Sequence, residues 1–444
     1  MEKNRRCPPF LAYFHPSTGP KRGICRSRKF PPWSEAKPYR QHVDYRQQPL
    51  LEECFRWFGP ADPVPLGYIR HAGASAVFTA LHEIPYGDAW PREAIRARKE
   101  QLAAAGLRWA AVESVPVHKD IKTGSGDLSL LLENYAVSLR NLAAEGVTTV
   151  IYNFMPVLDW VRTDMRHVLP DGTESLLFDP VKFAAFELHA LKRRGAEADF
   201  TSEQIEAAGH WWSGLSEAAR DAFIRDIIDV FPGCKLGLTL DDIRARLAAY
   251  AHIDGDALRA NLARFLEHVV PVAAELGVRL AIHPDDPPFP VLGLPRIVST
   301  GSHIDALFAL IDHPANGLCF CAGSFGARPD NDLPALASRF AARIHAVHLR
   351  STKREASGVF YEADHLGGDV DMPALLRILL DEQDRRRAEG RADWQVPLRP
   401  DHGHVMMQDL THYVPLTPGY SAIGRMRGLA ELRGVMHGLR AKPR

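Results

Sequence analysis

The sequence lacks an excess of charge of either sign, because 54 lysines and arginines balance 54 aspartates and glutamates. A chain without a basic excess has no general attraction for the phosphates of nucleic acids, so we expect no nucleic-acid partner. It also lacks any run of about 18 apolar residues, the length that crosses a membrane, so we expect no membrane association. The remaining composition, 46% apolar and 24% charged, is typical of a globular protein.

Cysteine is scarce, with six residues at positions 7, 25, 54, 234, 319 and 321. The first 50 residues contain no apolar segment of the kind that directs secretion. We therefore expect a cytoplasmic, reducing compartment, in which these cysteines are thiols or metal ligands rather than disulfides.

Residues 1–50 differ from the rest of the chain. They carry eleven lysines and arginines against three acidic residues, together with eight prolines, and show neither helical nor strand periodicity. This composition predicts a disordered, basic, proline-rich extension. A basic recognition arm is the alternative, and a plain tail is the interpretation that we favour.

From residue 52 onward, short apolar β-branched runs alternate with helical patterns, which is typical of βα units and a parallel sheet. Seven strands are convincing, and an eighth could only be short, near Tyr420–Ile423. Residues 157–250 read as helices, so we predict a helical insertion between predicted strands 3 and 4, serving as a cap or as the surface of a homo-oligomer. The expected fold is an α/β (β/α)8 TIM barrel occupying residues 52–444.

The alternative to a barrel is an open doubly wound sheet. That fold places a glycine-rich turn after its first strand, where it binds phosphate groups. The corresponding turn here, HEIPYGDAW, lacks the G-x-G-x-x-G pattern. The missing motif favours the barrel.

Four successive predicted strands each end in a residue that can bind a metal ion. They are His283 in AIHPDD, Cys321 in CFCAG, His348 in VHLRS and Asp401 in RPDHGH. Active sites of TIM barrels lie at the carboxyl ends of the strands, so these side chains should meet. Mixed nitrogen, sulfur and oxygen ligands suit Fe(II), Mn(II), Co(II) or Zn(II) rather than magnesium or calcium. Each residue taken alone could instead be a structural hydrogen-bonding or core group.

Further polar residues fall on the same predicted face. Arg350 directly follows the sixth strand and Arg399 lies two residues before Asp401, while Lys119, Arg162 and Arg296 lie in loops. A cation in such a place can bind a carboxylate. Asn153 and His82 end the third and first strands and can bind hydroxyl groups. Surface charge and structural packing are the alternatives for these seven residues.

His402 and Tyr420 are the acid–base candidates. An imidazole titrates near neutral pH, and His402 follows the proposed ligand Asp401 while pointing elsewhere. Tyr420 lies in a Pro-Gly turn, and a nearby divalent cation would lower the pKa of its hydroxyl. Packing within the turn is the alternative role for Tyr420.

Several long motifs in one order resemble the D-mannonate dehydratase family of hexuronate degradation. They are WFGPADPV, ESVPVHKDIKTG, YNFMPVLDW, HPDDPPFPVLGLPRIVST, GSFGARPDNDL, HLRST, HLGGDVDM, RPDHGH and PGYSAIGR. The resemblance runs from about Cys54 to the end of the chain and excludes residues 1–50. It implies a xylose-isomerase-like TIM barrel that uses Fe(II) or Mn(II) and converts D-mannonate into 2-dehydro-3-deoxy-D-gluconate and water.

By position, the resemblance also implies metal ligands at His283, Cys321, His348 and Asp401, and an acid–base pair at His402 and Tyr420. Two other functions stay open at this point. One is a metal-dependent sugar isomerase or epimerase on the same barrel, and the other is a sugar-acid binding protein without turnover. A nuclease on this barrel would need more metal ligands and a basic face, which the balanced charge does not favour.

Overall fold

The computed structural model describes residues 49–228, 237–412 and 417–441. The predicted disordered extension therefore lies outside the described residues, apart from positions 49 and 50. None of the helices in the described ranges combines the length and the apolar character that a membrane crossing requires.

Twelve strands occur in the described part of the chain. They are β1 (Glu52–Arg56), β2 (Ala76–Thr79), β3 (Arg108–Glu113), β4 (Thr149–Tyr152), β5 (Asp164–Val168), β6 (Glu174–Phe178), β7 (Arg279–Ile282), β8 (Asn316–Cys321), β9 (Ile344–His348), β10 (Ser351–Arg354), β11 (Phe360–Ala363) and β12 (Pro397–Arg399). Eight of them close a parallel barrel in the order β1-β12-β9-β8-β7-β4-β3-β2. The predicted TIM-barrel fold is confirmed.

Helices follow the barrel strands and cover the barrel. They are α1 (Leu66–His71), α2 (Arg92–Ala104), α3 (Lys119–Thr123), α4 (Leu128–Ala144), α5 (Pro180–Ala185), α6 (Ser202–Ser213), α7 (Glu217–Ile228), α8 (Leu240–Ala249), α9 (Gly255–Glu275), α10 (Gly301–Leu310), α11 (Ala322–Gly326), α12 (Leu333–Phe340), α13 (Met372–Ala388), α14 (Asp409–His412) and α15 (Ala422–Arg440). Short π- and 3-10-helical turns occupy Phe186–Ala190, Ala196–Asp199 and Ala341–Arg343.

Local sequence explains where these elements begin and how they pack. Pro91 directly precedes α2, and Thr201 with Gln204 forms the predicted capping box at the start of α6. All six residues of β8 are buried, as expected for a parallel strand covered on both faces. Small side chains, mainly alanines and cysteines, fill the barrel interior together with Phe78 and Ile151. The larger core lies between the strands and the surrounding helices.

The prediction of an eighth strand near Tyr420–Ile423 was wrong. The missing strand is β1, which pairs with β12 on one side and with β2 on the other. Tyr420 makes only an isolated bridge to Gly403, and the chain enters α15 at Ala422. Because β1 precedes every predicted strand, the insertion follows the fourth barrel strand rather than the third.

The insertion between β4 and β7 contains helices α5 to α8 and also a β-hairpin, which the helical interpretation missed. β5 and β6 pair antiparallel, and β6 pairs with β11 to form a four-stranded sheet in the order β10-β11-β6-β5. This second sheet brings Glu362, on β11, towards the carboxyl ends of the barrel strands.

Candidate active site

A cavity opens at the carboxyl ends of the barrel strands. It is lined by Arg56, His82, Tyr86, Glu113, Ser114, Pro116, Asn153, Asp159, Trp160, His283, Asp286, Arg350, Arg399, Asp401, His402 and Tyr420. Strand topology explains this convergence, because parallel strands of a closed barrel all present their last residues at one end. Asp401 lies just beyond β12 with a positive φ of 65°, a backbone conformation that is uncommon outside glycine.

Three of the predicted metal ligands form a compact group, which we call the ligand group: His283, Cys321 and His348. One ligand atom from each lies within 4.8 Å of those of the other two. Cys321 and His348 are fully buried, and His283 is half-buried at the cavity. The described residues thus contain a group that can hold a metal ion.

Burial keeps the ligand group uncharged. It lowers the pKa of both imidazoles and raises the pKa of the Cys321 thiol to about 12. The Nδ1 atom of His283 lies 2.7 Å from the carbonyl oxygen of Pro284, which leaves Nε2 as its ligand atom. The hydroxyl of Ser324 donates to Cys321 Sγ at 3.1 Å and orients the sulfur. Neutral imidazoles and an oriented thiol suit a borderline-soft divalent ion.

Asp401, the fourth predicted ligand, lies beside this group. The Cys321 thiol donates to its Oδ2 atom at 3.6 Å. Two arginines also bind it, since Arg350 Nε donates to Oδ2 at 2.7 Å and Arg399 donates to Oδ1. Burial alone would raise the pKa of Asp401, but these arginines and His402 hold it well below its usual value. Asp401 is therefore an ionised carboxylate whose orientation is fixed by its partners.

Asp401 belongs to a larger set of buried charges that we call the ion-pair chain. It comprises Arg56, Glu113, Arg399, Asp401, Arg350, Asp286, Glu362 and Arg162, and each of its carboxylates lies within 4.0 Å of two of its arginines. It contains four cations and four carboxylates, so its formal charge is zero, and Asp286 and Glu362 both bridge Arg350 and Arg162. Because each carboxylate touches an arginine, the charges compensate one another in a region shielded from water.

Arg350 is the centre of the ion-pair chain. Its Nε donates to Asp401, Nη1 donates to both oxygens of Glu362, and Nη2 donates to Asp286 and to Ser324. These bonds use all five N–H groups of the guanidinium. Arg350 lines the cavity as predicted, but it has no remaining donor for a substrate carboxylate, so it serves to hold the three carboxylates in place.

At the other end of the chain, Arg399 donates to Glu113 at 2.7 Å and lies 3.2 Å from His348 Nδ1. Burial opposes ionisation of Glu113, but Arg399, His348 and Arg56 outweigh it and lower its pKa to about 2. Arg56 lies 3.2 Å from His82 Nε2, and burial together with this cation lowers the pKa of His82 to about 3. Glu113 is thus a carboxylate, and His82 a neutral imidazole, at neutral pH.

The two predicted acid–base residues pack against each other in the wall of the cavity. The rings of His402 and Tyr420 pack edge to face, with centroids 5.0 Å apart. Tyr420 donates its hydroxyl to Asp401 at 3.3 Å, and His402 Nδ1 lies 3.3 Å from Glu362. Trp160 packs against the other side of the His402 ring at 5.9 Å. Both residues therefore contact the ion-pair chain and line the same cavity as His283 of the ligand group.

The remaining predicted residues separate into those at the cavity and those away from it. Asn153 and His82 line it. Lys119 is exposed and pairs with Asp120 at 2.6 Å beside a different cavity. Arg296 is buried outside the lining and donates to the carbonyl of Leu158 at 2.8 Å. The structure therefore does not bring Lys119 or Arg296 to the metal ligands.

Sequence reasoning missed four residues of the ion-pair chain: Arg56, Glu113, Asp286 and Glu362. Glu113 ends β3 and could have been found by the strand-end rule that identified the ligands. Asp286 lies inside the motif HPDD, next to His283. Arg56 was missed together with β1. Glu362 had no signal, because the strand pattern around it, FYEA, is short and uncapped.

Comparison with protein families identifies relatives along almost the whole described chain. The D-mannonate dehydratase family matches residues 51–444. A mannonate dehydratase of Marinomonas sp. (strain MWYL1) is 50% identical over 392 residues, 88% of this chain and 100% of that protein. A mannonate dehydratase of Chromohalobacter salexigens is 51% identical over 386 residues, 87% of this chain and 98% of that protein.

Among solved structures, the mannonate dehydratase of Streptococcus suis serotype 2 is similar to this chain. The two superpose with a TM-score of 0.68 at 33% sequence identity. The match covers 88% of this chain and 93% of the other. The family match leaves the first 50 residues aside.

Proposed function

The chain belongs to the D-mannonate dehydratase family, and from that premise we propose how its cavity removes water from D-mannonate to give 2-dehydro-3-deoxy-D-gluconate. The observation that carries the proposal is the position of the ligand group at the cavity, which its member His283 lines together with His402 and Tyr420. A hydro-lyase acting on a sugar acid needs a site for the carboxylate and two groups that transfer protons. All three requirements meet at this end of the barrel.

The donor set fits a metal ion. Two imidazoles, a thiol and an ionised carboxylate suit Fe(II) or Mn(II), the ions that we propose, and the ligand atoms of the ligand group already lie within 4.8 Å of one another. His283, Cys321, His348 and Asp401 would hold the ion. When bound, a divalent ion supplies Lewis-acid stabilisation of the negative charge that develops on the substrate carboxylate as the C2 proton leaves.

Charge counting favours a substrate with one negative charge. The ion-pair chain sums to zero, and burial keeps the imidazoles of His283 and His348 neutral. A divalent cation together with the Cys321 thiolate would leave one positive charge, which a single carboxylate neutralises. A sugar acid therefore suits this buried site better than a neutral sugar or a phosphorylated one.

We assign the two proton transfers to His402 and Tyr420. One residue takes the proton from C2, and the other protonates the hydroxyl that leaves from C3. Their edge-to-face contact places both functional groups at one side of the cavity. Trp160 and Glu362 hold the His402 ring, while Asp401 holds the Tyr420 hydroxyl. The resulting enol then tautomerises to the 2-keto acid.

The cysteines fit the cytoplasmic location that we infer for this reaction. In the described residues, Cys54, Cys319 and Cys321 are buried and unbridged. A reducing compartment preserves a buried thiol as a metal ligand.

Incubation of iron- or manganese-loaded protein with D-mannonate tests the proposal. We expect a 2-keto acid to accumulate, detected by a colorimetric 2-keto acid assay. An epimerised or isomerised sugar instead would identify the isomerase alternative. Tight binding of D-mannonate without any product would identify a binding protein.

A further inference from the structure

A second cavity, which we call the side cavity, lies next to the catalytic one. Its volume is about 130 Å³, against about 80 Å³ for the catalytic cavity. It is lined by Tyr86, Val117, Lys119, Asp120, Lys122, Thr123, Ser125, Val157, Asp159, Arg246, Ala249 and Tyr250. Tyr86 and Asp159 line both cavities, so the two share one wall.

The insertion supplies one side of the side cavity. Arg246 and Ala249 belong to α8, and Tyr250 ends that helix. The opposite side comes from the barrel, from the loop after β3 that contains α3. A segment added to the barrel thus completes a cavity that the barrel alone would leave open.

Among the cations around the side cavity, Arg246 is the one without a close ion pair in the described residues, since Asp242, four residues earlier on α8, interacts with it only beyond ion-pair distance. Lys119 pairs with Asp120 at 2.6 Å, and Lys122 pairs with Asp159 at 3.2 Å. No ion pair or hydrogen bond engages the guanidinium of Arg246 among residues 49–228, 237–412 and 417–441. A half-buried arginine whose guanidinium makes no hydrogen bond or close ion pair in the described residues, and that shares a cavity with two lysines, is a candidate binding point for a carboxylate.

The other lining groups suit a sugar chain. Tyr86 and Tyr250 offer ring faces to C–H groups, and the hydroxyls of Thr123 and Ser125, 2.8 Å apart, offer donors and acceptors to sugar hydroxyls. Val157 has a positive φ of 63°, which is rare for a β-branched residue. Strained backbone of this kind concentrates at functional sites, and here it lies in the loop that leads to Asp159 and Trp160 of the catalytic cavity.

We propose that the side cavity is a binding site for the sugar-acid monoanion, which docks its carboxylate on Arg246 and Lys119 before it passes Tyr86 and Asp159 into the catalytic cavity. The proposal rests on the proposed function, because it takes the substrate class from it. It gives the insertion a role: α8 collects the anion at the entrance of a site whose own arginines are all engaged by carboxylates.

Steady-state kinetics with D-mannonate tests this proposal. Arg246→Gln and Lys119→Gln should each raise KM by roughly three- to tenfold at low ionic strength and change kcat far less, because they remove a contact made before the chemical step. Arg246→Lys, which keeps the charge, should restore most of the lost affinity. The matched control is Arg259→Gln, because Arg259 pairs with Asp256 on α9 and lines neither cavity.

Calorimetric titration of chelator-treated protein with D-mannonate separates the two cavities. Wild-type protein should still bind the anion weakly in the side cavity, whereas Arg246→Gln should not. Unchanged KM in both glutamine variants, or equal binding by metal-free wild type and Arg246→Gln, overturns the proposal. If wild-type protein forms no 2-keto acid at all, the proposed function fails, and the titration still decides the side cavity.

Discussion

Two sets of buried polar side chains meet at the mouth of the barrel and are built in opposite ways. The ion-pair chain matches each carboxylate with an arginine and sums to zero charge. The ligand group is kept uncharged by burial, with lowered imidazole pKa values and a thiol pKa raised to about 12. The first set is complete without any added ion and fixes geometry. The second set is the one that can take up a cation, so substitutions in the two sets should have different consequences.

The largest expected effect comes from the ligand group. Cys321→Ser should bring turnover below detection and bound metal to well under one ion per chain, because a hydroxyl is a far weaker ligand than a thiolate. Metal analysis and the 2-keto acid assay measure both. Cys54→Ser, at a buried thiol of the barrel interior, is the control and should keep its metal. Full metal content in Cys321→Ser would show that the Cys321 thiol is not a metal ligand.

His402 contacts the ion-pair chain at Glu362 and Asp401 and is not a member of the ligand group, so its replacement should separate chemistry from metal binding. His402→Ala should lower kcat by about 10²- to 10⁴-fold, the usual contribution of a positioned acid or base, while metal content stays at the wild-type level. Metal analysis beside turnover checks this expectation. Parallel loss of metal and activity would instead make His402 a ligand.

The ion-pair chain should respond through stability. Arg350→Met leaves Asp286, Glu362 and Asp401 short of a counterion, and breaking a buried pair costs roughly 3–5 kcal/mol in the free energy of unfolding. Denaturant unfolding of metal-free protein measures the loss. Arg140→Met is the exposed control, and removal of its solvent-screened pair with Glu133 should leave the free energy of unfolding nearly unchanged. Equal losses in the free energy of unfolding for the two substitutions would contradict a structural role for the ion-pair chain.

The smallest effect is a pH dependence of metal affinity. Binding requires the Cys321 thiolate, and because the thiol pKa is raised to about 12, the thiol is protonated throughout the neutral range. Metal affinity should therefore rise by about tenfold per pH unit above about pH 6.5. In that range the histidines are already neutral, so metal binding releases only the proton of the thiol. Competition titrations with a metal chelator measure the slope. A slope of two or three protons would mean that the imidazoles titrate as well.

The barrel could be predicted from the sequence because its strands are short apolar runs separated by helices with clear ends. β1 was missed because Glu52, Glu53 and Arg56 interrupt its apolar pattern directly after the proline-rich extension. The β5–β6 hairpin did carry a signal, the Asp171-Gly172 turn, with Gly172 at a φ of 82°. Helical patterns on both sides obscured it.

The site was predictable where one residue at a strand end decides the chemistry, as for His283, Cys321 and His348. It was not predictable where the role of a residue depends on hydrogen-bond and ion-pair partners from other segments of the chain. The sequence suggests that Arg350 is a cation available to a substrate carboxylate. In the structure its five N–H donors are all used by groups from other segments of the chain. Lys119 and Arg296 lie in loops whose course the sequence does not fix, and both fall outside the catalytic cavity.

Anomalous X-ray diffraction from crystals of manganese-loaded protein tests the central claim most directly. We expect one strong peak at the carboxyl ends of the barrel strands, within bonding distance of the two imidazoles, the thiolate and the Asp401 carboxylate. A fully loaded, active protein whose only peak lies elsewhere would contradict the site assigned to the ion.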